Sequence, residues 1–392
     1  MKAKFDVAIV GGGPAGSLCA RQLALGGFSV IVLERAATIR RKVCGEYLCP
    51  SGVSLLKSIG LKEEIVDQFL PITGMQIFAL NRYHVDATFP SHGGKQLGIA
   101  VNRESLDRKF LDLAQAAGVT VRLGTTVNQI TSQGSDGFLL QLKDSEQIEA
   151  NLLVGADGRH SFTARELGLK EGIDTSKVAL QCHLQAKQLN RRQGEMHIFS
   201  DGNYIGIDPT GEYEVNLSLV CDSSLFKQEK NPRALLNSFI MLSDQLEARY
   251  GSIPESVGIS SVTPLTNHMD KIVAKNATLI GDAAGFLDPL TGEGMFVALW
   301  SANTLASELT NVGVGKSSHL YQQALTRYAE RKRVFFRHKV ILNTAFQFII
   351  KIPWLIWLIA ALIKRRERGD IFLGIIGNIY SPLEGLKRLL KV

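Results

Sequence analysis

Apolar and polar positions along this chain follow three rhythms, and each rhythm changes at a glycine or a proline. "FDVAIV" at 5–10 is an unbroken, β-branched apolar run, the pattern of a parallel strand covered on both faces. "SLCARQLALGG" at 17–27 repeats its apolar residues at helical spacing and stops at Gly26-Gly27, a C-terminal cap signal. "FSVIVLER" at 28–35 predicts a second buried strand, and "RESLDRKFLDLAQAAG" at 103–118 another helix. Two later runs, "LLVGADG" at 152–158 and "ATLIGDAAG" at 277–285, break on Asp157-Gly158 and on Gly281-Asp282. Strands alternating with helices predict an α/β fold with a parallel sheet.

The intervals have another rhythm. Segments 74–89, 177–189, 194–200, 202–220 and 255–265 alternate in part with a period of two, as sheet strands do. Within 202–220, two strands flank the turn Pro209-Thr210-Gly211-Glu212. These segments predict an antiparallel substrate sheet inserted into the first domain. The expected division is 1–73 with 100–170 and 266–320, then 74–99 with 171–265, then a helical tail over 321–392. In the tail, "WLIWLIAALI" at 354–363 is apolar throughout and ends on Lys364-Arg365-Arg366. It is too short to span a bilayer core of about 30 Å. Gln347, Lys351 and Pro353 stop it from being extended backwards. The pattern predicts a helix lying in a membrane interface or a lid packed on the body, and the two are compatible.

Charge sharpens the division. The chain of 392 residues has 44 Lys+Arg and 37 Asp+Glu, of which 14 and 4 fall within 321–392. The body is therefore mildly acidic, which argues against nucleic acid as a partner. The basic tail suits anionic lipid head groups. Five scattered cysteines form no disulfide framework, and the start of the chain has no leader pattern. Both points predict a reducing, cytoplasmic protein, and the tail adds the expectation of a peripheral place at the cytoplasmic face of the membrane. The eight histidines, His92 among them, never pair at a four-residue spacing, so no metal site is expected. No GxSxG elbow is present for acyl transfer.

The chemistry therefore rests on glycine loops. Gly11, Gly13 and Gly16, with Pro14 and Ala15 between them, open the first helix, and Glu34-Arg35 ends the second strand. That arrangement suits a dinucleotide: a tight turn, backbone close to a pyrophosphate, helix N–H groups aimed at phosphate, and an acid for the ribose. Taken alone it leaves NAD and FAD both open. "RKVCGEYLCPSG" at 41–52 reads equally as a metal site, a redox pair or a cofactor loop until further ligands are found.

With the Asp157-Gly158 and Gly281-Asp282 strings in the same order, the chain resembles FAD-dependent oxidoreductases of the glutathione-reductase-like superfamily. It is most similar to the branch of group A flavoprotein monooxygenases, flavin halogenases and geranylgeranyl reductases. The resemblance implies a Rossmann-type FAD-binding domain, an inserted sheet and a C-terminal helical segment. It implies FAD contacts from Gly11, Gly13, Pro14, Ala15, Gly16, Glu34, Arg35, Lys42, Cys44, Gly45, Arg103, Val127, Asp157, Gly281, Asp282, Pro289, Gly292, Gly294 and Met295. Tyr47 and Tyr204 are the expected substrate contacts. The string at 41–52 becomes a flavin-facing loop in which Arg41 and Lys42 favour anions. Cys44 is the candidate catalytic group, and its roles as proton donor, substrate contact or packing residue stay open. "KVCGE" is similar to a geranylgeranyl reductase string, whereas Tyr204-Ile205-Gly206-Ile207-Asp208-Pro209 lacks the tryptophans of halogenases. The expected activity is reduction of a C=C bond in a hydrophobic, prenyl- or polyketide-type lipid, with NAD(P)H or another donor as reductant. The alternative is hydroxylation through a flavin C4a-hydroperoxide.

Overall fold

Unbroken apolar runs find each other first. A computed structural model describes residues 3–91, 96–134, 137–169, 171–186 and 192–391. His92, Lys170 and the end of the expected 177–189 strand lie outside the described residues. Five parallel strands stand in the order Thr120–Arg122, Val30–Leu33, Ala3–Val10, Gln147–Gly155, Ala277–Leu279. Val7, Ala8 and Ile9 are wholly buried because both sheet faces are covered. Helices Pro14–Leu25, Arg103–Ala116 and Gly294–Val312 share one core with one face. The hairpin Val127–Ser132 with Phe138–Leu142 brings Phe138 and Leu140 to the other. Chain order reverses beside the strand Ala3–Val10, and the crevice at such a switch point is where this architecture binds ligands.

The second sheet has seven strands, in the order Ser260–Val262, Lys177–Gln185, Glu214–Asp222, Tyr204–Pro209, Gln193–Ile198, Gly74–Ala79, Tyr83–Thr88. It is antiparallel apart from one pair: Gln193–Ile198 runs parallel to Gly74–Ala79. Those two strands come from separate excursions of the chain, so no hairpin constrains them to oppose each other. The back face packs Ile205, Ile207, Leu217 and Leu219 on helices Pro232–Met241 and Asp244–Tyr250. The front face looks toward the parallel sheet. A small sheet of Tyr47–Leu48, Gly98–Ala100 and Leu70–Ile72 bridges the two.

The tail is part of the body. Helix Ser318–Ile349 turns through 110° into Pro353–Ile363, and Arg366–Ile376 and Pro382–Leu389 follow. Thr88 N donates to Asp370 Oδ1 (2.7 Å), and Ser51 Oγ donates to the Asn378 carbonyl (2.9 Å). Among the described residues, no single helix is long and apolar enough to cross a membrane.

One buried ion pair fixes the inserted sheet to its helices. Arg249 meets both Glu195 oxygens, at 2.8 and 2.5 Å, and His197 Nε2 lies 3.3 Å from Oε2. Burial alone raises a carboxyl pKa, but Arg249 and His197 outweigh it and hold Glu195 down to about 2. This contribution to stability is present above the ordinary carboxylate pKa and is lost as pH falls toward 2. Thermal melts from pH 5 to pH 2 should therefore show a loss of stability that Glu195→Gln removes, the variant being less stable at neutral pH.

A cofactor cleft and an apolar pocket

At the switch point the glycine loop is shaped by its own backbone. A Cβ on Gly16 would lie 2.0 Å from the Gly11 carbonyl oxygen, so only glycine lets helix Pro14–Leu25 pack this closely. A Cβ on Gly11 would meet the Ala156 carbonyl oxygen at 2.4 Å. Gly13 is different: the nearest atom to a Cβ there is Lys42 Nζ, at 3.9 Å. Space and a cation stand together above the helix N-terminus. Arg103 supplies a second cation, donating to buried Asp107 from Nε (2.9 Å) and Nη2 (3.0 Å). Lys42 Nζ reaches Asp107 Oδ2 at 3.3 Å. Burial lowers the Arg103 pKa, but the Asp107 carboxylate raises it further than burial lowers it. Two cations on one carboxylate leave net positive charge beside Gly13, which fits a bound pyrophosphate.

Glu34 accepts from Gly12 N (2.7 Å) and Ala36 N (2.9 Å), which places a carboxylate at the end of its strand. Arg35 is exposed beside it, and Val127 is buried at the start of its hairpin. Asp157 accepts from Ser161 Oγ (2.5 Å) and from Thr163 N (2.9 Å) and Oγ1 (3.0 Å). Both its oxygens therefore serve the start of helix Phe162–Glu166. Asp282, half-buried, faces Arg159 Nε at 3.3 Å. Its neighbour Gly281 packs on Ala15, where a Cβ would come within 2.9 Å. The Gly281–Asp282 turn thus lies over the start of the first helix.

The loop at 41–52 crosses the same cleft. Arg41 is drawn away to Glu214 (2.6 Å). Gly45 is open, with no atom within 4 Å of a Cβ. The Cys44 carbonyl accepts from Gln181 Nε2 (2.9 Å) and Asn216 Nδ2 (2.6 Å), which docks the loop on the front face of the second sheet. Cys44 Sγ accepts from Glu46 N (3.4 Å). All five cysteines are free thiols. Glu46 is fully buried with φ 55°, accepts from Arg103 N (3.1 Å), and lies 2.6 Å from His183 Nε2. Tyr47 packs under the third loop, 3.1 Å from where a Cβ on Gly292 would sit.

That third loop carries Pro289, Gly292, Gly294 and buried Met295, and leads into helix Gly294–Val312. Tyr204 donates to Asp288 Oδ1 (2.6 Å), and Lys177 Nζ reaches Oδ2 (3.2 Å). Burial first, and Asp288 second, hold the Tyr204 phenol protonated well above its ordinary range. Tyr204 thus supports the loop. The tail supports it too: Asn343 Nδ2 donates to the Asp288 carbonyl (2.9 Å), and Lys339 and Asn378 donate to Glu293.

Beside Leu290 and Thr291 lies an apolar pocket between the second sheet and the tail. Ile77, Ala79, Tyr83, Val85, Met196 and Ile198 form the sheet wall. Phe346, Ile350, Ile356, Ile363 and Phe372 form a wall from the tail. Sequence reasoning missed these residues, although the period-two pairs Ile77/Ala79, Tyr83/Val85 and Met196/Ile198 carried a signal. It also missed Asp107, which stands at i+4 from Arg103 on one helix face. Glu46 and Asp288 carried no signal, since their partners lie far away in the chain.

Known proteins share this fold. A family model described as "FAD binding domain" matches residues 4–340. Digeranylgeranylglycerophospholipid reductase 3 of Methanosphaera stadtmanae is 30% identical over 337 residues, 83% of this chain and 82% of the relative. The flavin-dependent brominase Bmp2 superposes with a TM-score of 0.83 at 21% identity, over 99% of this chain and 97% of its own. A geranylgeranyl bacteriochlorophyll reductase-like protein from Thermoplasma acidophilum gives 0.73 at 22% identity, over 100% and 96%.

The cation cluster is testable. Asp107→Asn leaves Arg103 and Lys42 without their buried counter-charge, and breaking such pairs costs about 3–5 kcal/mol. The variant should melt lower, while Arg103→Ala, which takes a cation from the cluster, should hold FAD roughly tenfold more weakly, a change of about 1.4 kcal/mol. Equilibrium dialysis of the flavin and thermal melts would measure both.

Proposed function

The chain belongs to the FAD-binding domain family, and from that premise we propose that this FAD-dependent oxidoreductase reduces a carbon–carbon double bond in a hydrophobic, prenyl- or polyketide-type lipid. Bound FAD supplies the two-electron chemistry. The chain's own residues would hold it, with Lys42, Arg103 and the glycine loop at the phosphates and Glu34 at the ribose. The N-terminus of helix Gly294–Val312 would face the redox-active ring, where a helix dipole favours the negative charge of reduction. NAD(P)H or another donor supplies the electrons.

The observation that carries this reading is the pocket. Its walls are aliphatic and aromatic, and its inner end is the Leu290–Thr291 segment of the third loop. Of the two hydroxyl-bearing residues in the lining, Tyr83 and Thr291, the second donates to Glu293 (3.0 Å). Such a space suits an isoprenoid chain, and no charged side chain lines it to pair with a charged substrate. The name of the Methanosphaera relative is that of a reductase of a geranylgeranylated lipid, which supports the same substrate class.

Contact with an anionic membrane belongs to the same proposal. Helix Pro353–Ile363 has no polar face: Ile356 and Ile363 point into the pocket, while Trp354, Trp357, Leu358 and Leu362 are exposed. Lys351 and Lys364-Arg365-Arg366 flank it. Apolar residues and tryptophans bordered by lysine and arginine suit a bilayer interface.

Two measurements test this. Anaerobically reduced enzyme should be reoxidised by a geranylgeranyl lipid, giving a product heavier by H2 per reduced bond. Oxygen uptake that depends on substrate, with no anaerobic turnover, would replace reduction by hydroxylation. For the membrane, Trp354→Ser combined with Trp357→Ser should cut sedimentation with anionic vesicles several-fold and leave the FAD content unchanged. Truncating the tail is a poorer test, because Asn343 and Asn378 support the third loop. Unaltered sedimentation of the double variant would overturn membrane contact.

A further inference from the structure

The front face of the seven-stranded sheet changes character across its width. Strand register sets Ile77, Met196, Gly206 and Ser218 in one row. The first two line the apolar pocket. At Gly206 the wall opens, because a Cβ there would meet nothing within 4 Å. Two residues further along the same strand, and so on the same face, stands Asp208. It is paired in register with Asn216, whose side chain holds the Cys44 carbonyl (2.6 Å). Asp208 therefore lies where the pocket meets the flavin-facing loop.

Its carboxyl is unlike the others of the site. Glu34, Asp107, Asp157, Asp288 and Glu293 all have donors on them. Asp208 Oδ1 is sealed from solvent and has no hydrogen-bond partner among the described residues. Room for it exists only because residue 194 is glycine: a Cβ there would lie 2.6 Å from Oδ1. An ionised oxygen in such a place is costly, and the neutral acid avoids the cost. The charged groups acting on it are anions: Glu195 on the neighbouring strand, matched by Arg249 and His197, and Glu46 on the loop, matched by His183. Tyr47 nearby is a protonated phenol. Burial first, then Glu195 and Glu46, push Asp208 up to about 7. The competing donor, Cys44, already accepts from Glu46 N on its sulfur.

We propose that Asp208 is the acid that protonates the second carbon of the double bond, an assignment that rests on the reductase reading above. In this step the C=C π bond breaks. One carbon receives a hydride from reduced FAD, which is oxidised, and the other receives the Asp208 proton. A proton from solvent then restores the carboxyl, since Asp208 as a residue is only partly buried.

The test follows reoxidation of anaerobically reduced holoenzyme by a geranylgeranyl lipid across pH 5–9. The wild-type rate should fall as pH rises through about 7. Asp208→Asn should lose that limb and be slower at low pH by about 100-fold, while Asp208→Glu should keep a limb. An Asp208→Asn enzyme that turns over at the wild-type rate, with the limb intact, overturns the role of Asp208 alone. A wild type that reduces no prenyl lipid overturns the reductase reading, and the role with it. One measurement needs no variant: with carboxyl-13C aspartate in the folded holoenzyme, one resonance should titrate near 7. If every aspartate titrates in the ordinary carboxylate range, the assignment fails.

Discussion

Two buried carboxylates on one short loop hold the molecule's parts in register. Asp288 is gripped by Tyr204 and Lys177 of the inserted sheet and through its carbonyl by Asn343 of the tail. Glu293, five residues on, is gripped by Lys339 and Asn378, also of the tail. Between them lie Leu290 and Thr291, which line the apolar pocket, and after them begins helix Gly294–Val312. Removing one partner of such a buried pair leaves an uncompensated charge at a cost of about 3–5 kcal/mol. Sheet, tail and cofactor loop are therefore coupled, and the tail is as much a part of the catalytic end as the glycine loop.

The same coupling explains the unusual chemistry of helix Ser318–Ile349. Lys332 and Lys339 are both buried on it. Lys332 donates to the Ala284 carbonyl beside the Gly281–Asp282 turn, and burial lowers its pKa to about 8. Lys339 answers Glu293 and lies over Phe335 and Phe296. A tail that merely covered the body would bury apolar side chains. This one carries cations inward because the loop it meets has carboxylates and free carbonyls that need donors.

Function follows from a division on one sheet face. Its far half is aliphatic and closed over by tail helices, and its near half carries His183, Gln181, Asn216 and Asp208 beneath the Cys44 loop. Gly194 and Gly206 mark the border, one making room for a carboxyl and the other leaving a gap. A long apolar chain can thus lie in the far half while its reacting bond reaches the polar half. The helix that closes the far half is apolar on both sides.

Local physics made much of this legible in advance. A buried parallel strand must be apolar on both faces, a glycine readily ends a helix, and a residue whose Cβ would fall 2.0 Å from a carbonyl oxygen must be glycine. "FDVAIVGGGPAG", "LLVGADG" and "ATLIGDAAG" therefore announced the cofactor cleft, and the change from helical to period-two spacing announced a second sheet. What stayed hidden were pairings between residues far apart in the chain: Lys339 with Glu293, His183 with Glu46, Asn343 with Asp288. The same holds for the partners that Asp157 found and that Asp208 Oδ1 did not find. The amino-acid order fixes which backbone conformations are affordable at each glycine and each apolar run. Only folding decides which buried charge meets a partner, because that depends on distances across elements that no local pattern encodes.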